Sequence, residues 1–286
     1  MTEGPFSARV QREQDAFNEG LQRDGYMRVF EHTSYLFLQR RNEIIRSELE
    51  YAQGKNVLEL GSISWESWVE GNGIKPSSLH CINISQEEIN HGEKNVRFSN
   101  VKPHFHLMDA HNLEFEDESF DFVYGCAILH HLDYNRALDE ICRVLKPGGR
   151  ILFTEPLGIN PVGKLVRLMT PFARTDDEKP LMFKELSELE KRFKTRHYYE
   201  ELFSVPLGVA SGILFDNPDN WLTRLAFNLD LSLNRMFPPC GTCFGMCWWW
   251  VRGNNFFLRR NINYLYFSHF PQTLRRLEKT VNLSAV

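Results

Sequence analysis

The chain has 286 residues, a formal net charge of −4, 42% hydrophobic residues and 24% charged residues. That is enough apolar material for one elaborated α/β domain, and it excludes global disorder. The slight acidity offers no general attraction to a phosphate backbone, so nucleic acid is not an expected partner.

The polar start, MTEGPFSARVQREQ, lacks the apolar core of a secretion signal. No run reaches the ~18–20 apolar residues of a membrane span, so no transmembrane segment and a cytoplasmic location are expected. Cys81, Cys126 and Cys142 fall in or near regular elements, as reduced thiols do. Cys240, Cys243 and Cys247 lack a nearby fourth ligand for a zinc site and read as free thiols.

In chain order, residues 11–53 place apolar side chains such as Phe17, Leu21, Leu36, Ile44 and Ile45 in a pattern that predicts two or three helices. Lys55–Leu60 is a short strand with Glu59 near its end and Gly61 after it. Ser78–Ile84 is the second strand, and Ser85 ahead of Glu87 and Glu88 reads as a helix N-cap. Phe105–Met108 leads into Asp109. After an acidic loop at 114–119 come a strand at Phe120–Cys126, the pair His130–His131, a helix at Asn135–Val144, a Lys-Pro-Gly-Gly turn and a strand ending at Glu155. Short apolar runs alternating with helical patterns predict βαβ units around a parallel sheet. Ligands bind such sheets beyond the carboxyl ends of the strands, where Asp109, Cys126, His130, His131 and Glu155 fall. An insertion at 157–194, punctuated by Pro161, Pro171 and Pro180, precedes strands at 196–205 and 243–251 and a helix at Trp221–Met236.

Asp109–Leu113, Ser119–Val123, Leu129–Leu132 and Arg143–Gly149 together resemble the core of the class I S-adenosylmethionine-dependent methyltransferases of the small-molecule type, the type 11-like branch. The resemblance implies an α/β, Rossmann-like, seven-stranded and mostly parallel sheet with helices on both faces, its seventh strand antiparallel at the edge. It divides the chain into an N-terminal helical cap (1–54), a methyltransferase core (55–252) whose lid is the 157–194 insertion, and a C-terminal extension (253–286). Asp121 matches a structural position of the family. The small-molecule acceptor would meet the lid, with Arg167, Arg174, Asp177 and Glu178 as polar candidates against a reading of mutual ion pairing.

For the cofactor, S-adenosyl-L-methionine, the resemblance implies Glu59, Gly61 and Ser62 at the first strand end and loop, Asn83 for the ribose with Ile84 beside it, Asp109 and Ala110 for the adenine, and Cys126 at the end of the fourth strand. Two departures stand out. The family's further glycines are replaced by Ser-Ile-Ser-Trp-Glu-Ser-Trp, which leaves a wider loop or a partly filled pocket. Asn83 stands where a carboxylate accepts from both ribose hydroxyls, so the charge-assisted strength is lost.

For catalysis, His131 first and then His130 would take a proton from the acceptor, with Glu155 orienting or assisting. Adjacent histidines are expected to point apart, which disfavours a metal. Methyl transfer to oxygen is the expected activity. The alternatives are a binding or regulatory protein on the same scaffold and a cofactor-using, non-methylating enzyme. The aromatic and basic tail after Asn254 reads as packing or a homodimer contact ahead of membrane contact.

Overall fold

The computed structural model describes residues 8–19, 24–159, 164, 168, 178–200, 203–236 and 245–251. Contacts divide the chain into Met1–Asn254 and Asn255–Val286. The readings for Arg167, Arg174, Asp177, Cys240, Cys243 and the C-terminal extension lie outside the described residues.

The first unit is built on β1 (Asn56–Leu60), β2 (Ser78–Asn83), β3 (Pro103–Leu107), β4 (Phe120–Cys126), β5 (Leu145–Glu155), β6 (Lys194–Glu200) and β7 (Gly245–Val251). They form one sheet in the order β3-β2-β1-β4-β5-β7-β6. The first five are parallel, and β7 pairs antiparallel with both β5 and β6. Alternation along the strands sends Leu58, Leu60, Val123, Ile151 and Phe153 into one core and Val57, Phe122, Tyr124 and Leu152 into another. A parallel sheet covered on both faces requires this, and it explains why the strands read as nearly unbroken apolar runs.

Helices α1 (Ala8–Glu19) and α2 (Asp24–Leu49) precede the sheet, and α3 (Gln86–Asn95) follows β2 behind its Ser85 cap. Helix α4 (Tyr134–Val144) buries Tyr134, Ala137, Leu138, Ile141 and Val144, one stripe at helical spacing. The Lys-Pro-Gly-Gly segment lies within β5, where pairing jumps from Phe120↔Leu145 to Phe122↔Arg150. Gly148 takes φ +77° at that irregularity, a conformation that favours glycine. Asp121 accepts from Asn56 N and Lys146 Nζ, tying β1, β4 and β5 together below the site.

Two expectations need correction. The strand placed at 196–205 ends at Glu200, and Ser204 opens helix α6 (Ser204–Leu214). The reason is Asp230 in α7 (Trp221–Met236), whose carboxylate accepts from Phe203 N, Ser204 N and Ser204 Oγ and so stabilises that helix start. The 157–194 insertion is not all lid. Its second half contains α5 (Phe183–Arg192), and Leu181, Leu186, Leu189 and Phe193 join the core against α4 and β5. A parallel bridge between Leu157 and Leu181 closes the insertion at its base.

Candidate functional site

The direction of chain progression reverses between β1 and β4, whose neighbours in the sheet lead away to opposite edges. Ligands of open α/β sheets bind at such a point. Here the backbone is unusual: Gly61 has φ +105°, Ser62 φ +52° and Ala127 φ +52°, each just past a strand end. Left-handed residues other than glycine cost about 1–3 kcal/mol and cluster at functional sites. A Cβ on Gly125 would sit 2.7 Å from Ile128 Cγ2 and 3.1 Å from Leu60 O, so the two strand ends approach closely.

The altered loop is folded by buried polar groups. Glu59 is 0% exposed. Its carboxylate accepts from Ser64 N at 2.7 Å, Ser64 Oγ at 2.8 Å, Tyr124 OH at 3.0 Å and Cys81 Sγ at 3.4 Å. Burial pushes its pKa up, against the pull of these bonds. Burial likewise raises the Tyr124 and Cys81 pKa values, keeping both as donors at neutral pH. Both oxygens of Glu59, expected at the cofactor, are bonded within the core and hold the loop. At the π-helical turn Glu66–Glu70, Trp65 just ahead of it packs edge-on to Phe105 and Trp68 within it stacks on Tyr124, in the core behind the sheet. The tryptophans do not fill the space above the strand ends. Ile63 remains at the surface, 59% exposed.

Asn83 also serves the loop. Its Nδ2 donates to Gly61 O at 2.6 Å and to Ser62 Oγ at 3.1 Å, and its Oδ1 accepts from Ser85 N. An aspartate could make neither donation. The Ile84 carbonyl accepts from Gln14 of α1, so that helix lies against the end of β2. Asp109 follows β3 by two residues and accepts through Oδ1 from His111 N and His111 Nδ1, at 2.9 and 2.6 Å. Burial acts to raise its pKa, but the hydrogen bonds from His111 outweigh it and hold the carboxyl low. Ala110 is buried in the core beside it. Sequence reading missed His111, whose Nε2 accepts from Asp133 N at 2.7 Å and so joins the Asp109 turn to the start of α4. Cys126 Sγ accepts from Thr154 Oγ1 at 3.2 Å, and burial pushes its thiol pKa up.

Past β4, Leu129–His131 forms a 3₁₀ turn. Glu155, at the end of β5, accepts from Ile128 N at 3.0 Å, Leu129 N at 2.8 Å, His130 N at 3.3 Å and His130 Nδ1 at 2.8 Å. It therefore orients His130, not His131 as the leading expectation had it. His131 Nδ1 is bonded to Glu13 of α1 at 3.0 Å, and its carbonyl accepts from Arg9. The two rings lie together, with centroids 4.1 Å apart. Lys179 N donates to His130 O, which sets Glu178 near the pair, 4.0 Å from His130 Nε2. The expectation that adjacent histidines would diverge is corrected: ligand atoms of His130, His131 and Glu178 all lie within 4.8 Å of one another. The 3₁₀ turn and the two separate carboxylates turn the rings to a common side.

A carboxylate accepts only, so the proton on each histidine lies on the Nδ1 facing Glu155 or Glu13. In the neutral rings Nε2 then carries the lone pair.

The family model for a methyltransferase domain matches residues 61–153. Among curated proteins, the O-methyltransferase cnsE of Penicillium expansum is 31% identical over 116 residues, 40% of this chain and 42% of that protein. The glycine/sarcosine/dimethylglycine N-methyltransferase of Actinopolyspora halophila is 31% identical over 87 residues, 29% of this chain and 15% of that protein. Both matches span less than half of the relative's length. A chain from the complex between the Haloferax volcanii Trm112 methyltransferase activator and its methyltransferase shares the fold, with a TM-score of 0.56, 17% identity, and coverage of 86% of this chain and 99% of that one. Residues 61–153, on the sheet that carries them, thus match a methyltransferase domain, which supports a class I S-adenosylmethionine-dependent methyltransferase.

Proposed function

We propose that this protein transfers a methyl group from S-adenosylmethionine to an oxygen of a small molecule. The observation that carries the reading is the histidine pair beyond β4, each ring held at Nδ1 by a buried carboxylate, beside the left-handed turns of the switch point.

The residues present fit the cofactor. Gly61 keeps the tight turn at the end of β1, with a Cβ position that nothing approaches closer than 3.8 Å. The loop's tryptophans, Trp65 and Trp68, pack behind the sheet, and Ile63 lies at the surface. Gly61 and Ser62 would hold the methionine end and the Asp109 carboxylate the adenine amino group. Asn83 contributes by shaping the loop, because its amide is spent on Gly61, Ser62 and Ser85. When bound, the cofactor supplies an electrophilic methyl on a sulfonium. The chain must then position the acceptor and take up its proton. His130 Nε2, with Glu155 behind the ring, is the better placed of the two for that proton, and His131 with Glu13 forms the second wall. Helix α1, bonded to His131 and Ile84, acts as the cap.

The test is calorimetric titration with S-adenosylhomocysteine. A Kd in the micromolar range, about −8 kcal/mol, is expected, weakened in Asp109→Ala. Absence of binding at millimolar ligand would leave a methyltransferase scaffold without the activity.

A further inference from the structure

We propose that His130, His131 and Glu178 form a binding site for one divalent transition-metal ion of the zinc class, placed to receive the acceptor's oxygen. The role assigned to the ion rests on the methyl-transfer reading above; the site itself does not.

The three donors come from two segments fixed to each other. The 3₁₀ turn carries both histidines, and Glu178 is set beside it by the Lys179 N–His130 O bond of 2.8 Å. The bridge from Leu157 to Leu181 anchors the same segment to the end of β5. The donor atoms lie within 4.8 Å of one another. Tetrahedral zinc with bonds near 2.0–2.1 Å needs donors roughly 3.3 Å apart. The separations here are wider, 4.0 Å from His130 Nε2 to Glu178 and up to 4.8 Å across the set, so binding an ion would draw the three side chains inward.

The second observation is independent of that spacing. Metal-binding histidines nearly always give their other ring N–H to a carboxylate, which fixes the tautomer and raises the basicity of the ligating nitrogen. Both histidines have that partner: Glu155 at 2.8 Å for His130 and Glu13 at 3.0 Å for His131. Both carboxylates are buried. Two imidazoles and one carboxylate is also a donor set that suits zinc and leaves a fourth position open.

An acceptor hydroxyl in that position would lose its proton more readily. The O–H bond breaks with its electron pair remaining on oxygen, and the proton passes to water. In this form the histidine Nε2 atoms bind the ion and not the proton, so the ion does the work of the base.

The experiment uses the full chain after dialysis against a chelator, titrated with Co²⁺ and followed by visible d–d absorption. One equivalent should bind and be displaced by Zn²⁺. Glu178→Gln should weaken binding at least tenfold, and Glu155→Gln by roughly 10–100-fold through the ring it orients. If Glu178→Gln does not fold, His131→Gln provides the same comparison. Absence of a cobalt spectrum at millimolar Co²⁺ would overturn the proposal. So would a spectrum unchanged in Glu178→Gln but lost in His104→Gln, which would move the ion to His80, His104 and His106, three histidines whose rings stack between β2 and β3. Calorimetry with S-adenosylhomocysteine on the same metal-free sample separates the two readings. Cofactor binding without cobalt binding removes the metal site alone, and cobalt binding without cofactor binding removes the methyl-transfer reading alone.

Discussion

Replacing Glu155 by glutamine tests the chemistry at the end of β5 with the smallest change in shape. The carboxylate accepts four hydrogen bonds, from Ile128 N, Leu129 N, His130 N and His130 Nδ1, and is 3% exposed. With the amide oxygen kept at Oε1, the first two bonds survive as neutral ones. The new NH₂ group then faces His130, where the backbone N–H loses its acceptor and the ring must reverse its tautomer to accept at Nδ1. A buried donor left without a partner costs about 1–3 kcal/mol, and charge-assisted bonds are worth about twice neutral ones. The expected loss is therefore about 2–4 kcal/mol, or roughly 5–15 °C in Tm for a domain of this size. The tautomer change carries the functional consequence. His130 Nε2 becomes a donor, unable to take a proton or hold a cation, and turnover should fall by about 10²–10⁴. Scanning calorimetry gives the first number, and a methyl-transfer assay at a temperature well below the variant's Tm gives the second. A variant that loses the expected stability but keeps turnover within threefold of the parent would refute the role given to His130.

Two other perturbations follow from the same geometry. His80 stacks against His104 and His106 and abuts Phe115 and Phe120, with its Nδ1 2.9 Å from His106 Nε2. Burial first, and then repulsion from His106 and His104, lowers its pKa from 6.5 to about 4. Below pH 6.5 the unfolded chain takes up a proton that the folded chain refuses, so stability falls between about pH 6.5 and 4. The full shift corresponds to about 3.4 kcal/mol, and with the ring only half-buried about 1–2 kcal/mol is expected. Urea unfolding at pH 7 and pH 5 should show that loss in the parent and less of it in His80→Gln; equal losses would remove the cluster as its cause. In His111→Ala, Asp109 loses a side-chain donor and Asp133 N an acceptor. S-adenosylhomocysteine should bind about tenfold more weakly, or about 1.4 kcal/mol, and unchanged affinity by calorimetry would take Asp109 out of the cofactor site.

The parallel strands and α4 were legible because their signal is local. Phe120–Cys126 is a short apolar run ended by a turn, and Tyr134–Val144 repeats its apolar residues at helical spacing. Where a partner is remote, the sequence is silent. Nothing in Arg196–Val205 marks the end of β6, because the group that stabilises the start of α6 is Asp230, 26 residues after Ser204. The partner of His131 lies 118 residues earlier, in a helix with no motif of its own. The pairing of Glu155 with His130 was ambiguous for a different reason. Adjacent histidines are equivalent in one dimension, and only the 3₁₀ turn decides which ring faces β5. His111 was within reach, since a histidine two residues after an aspartate at a strand end fits a local side-chain-to-backbone turn.

The degenerate glycine loop shows how a motif can be lost while the space it protects is kept. Glycines in that loop let the backbone pass close to a ligand without side chains in the way. This chain keeps the one at Gly61, where φ +105° demands it, and handles the others by redirecting bulk. Ser62 is left-handed and held by Asn83, and Ser64 is drawn inward by the Glu59 carboxylate. That inward pull carries the chain into the π-helical turn at Glu66–Glu70, and Trp65 and Trp68 enter the core against Phe105 and Tyr124. The tryptophans therefore add to stability behind the sheet, away from the Gly61–Ser62 turn. Asn83 belongs to the same solution: a carboxylate there would accept from a ribose but could not donate to the Gly61 carbonyl. Asn83 and the tryptophan-bearing loop should thus be exchangeable only as a set, and Asn83→Asp alone should release the turn it was meant to improve.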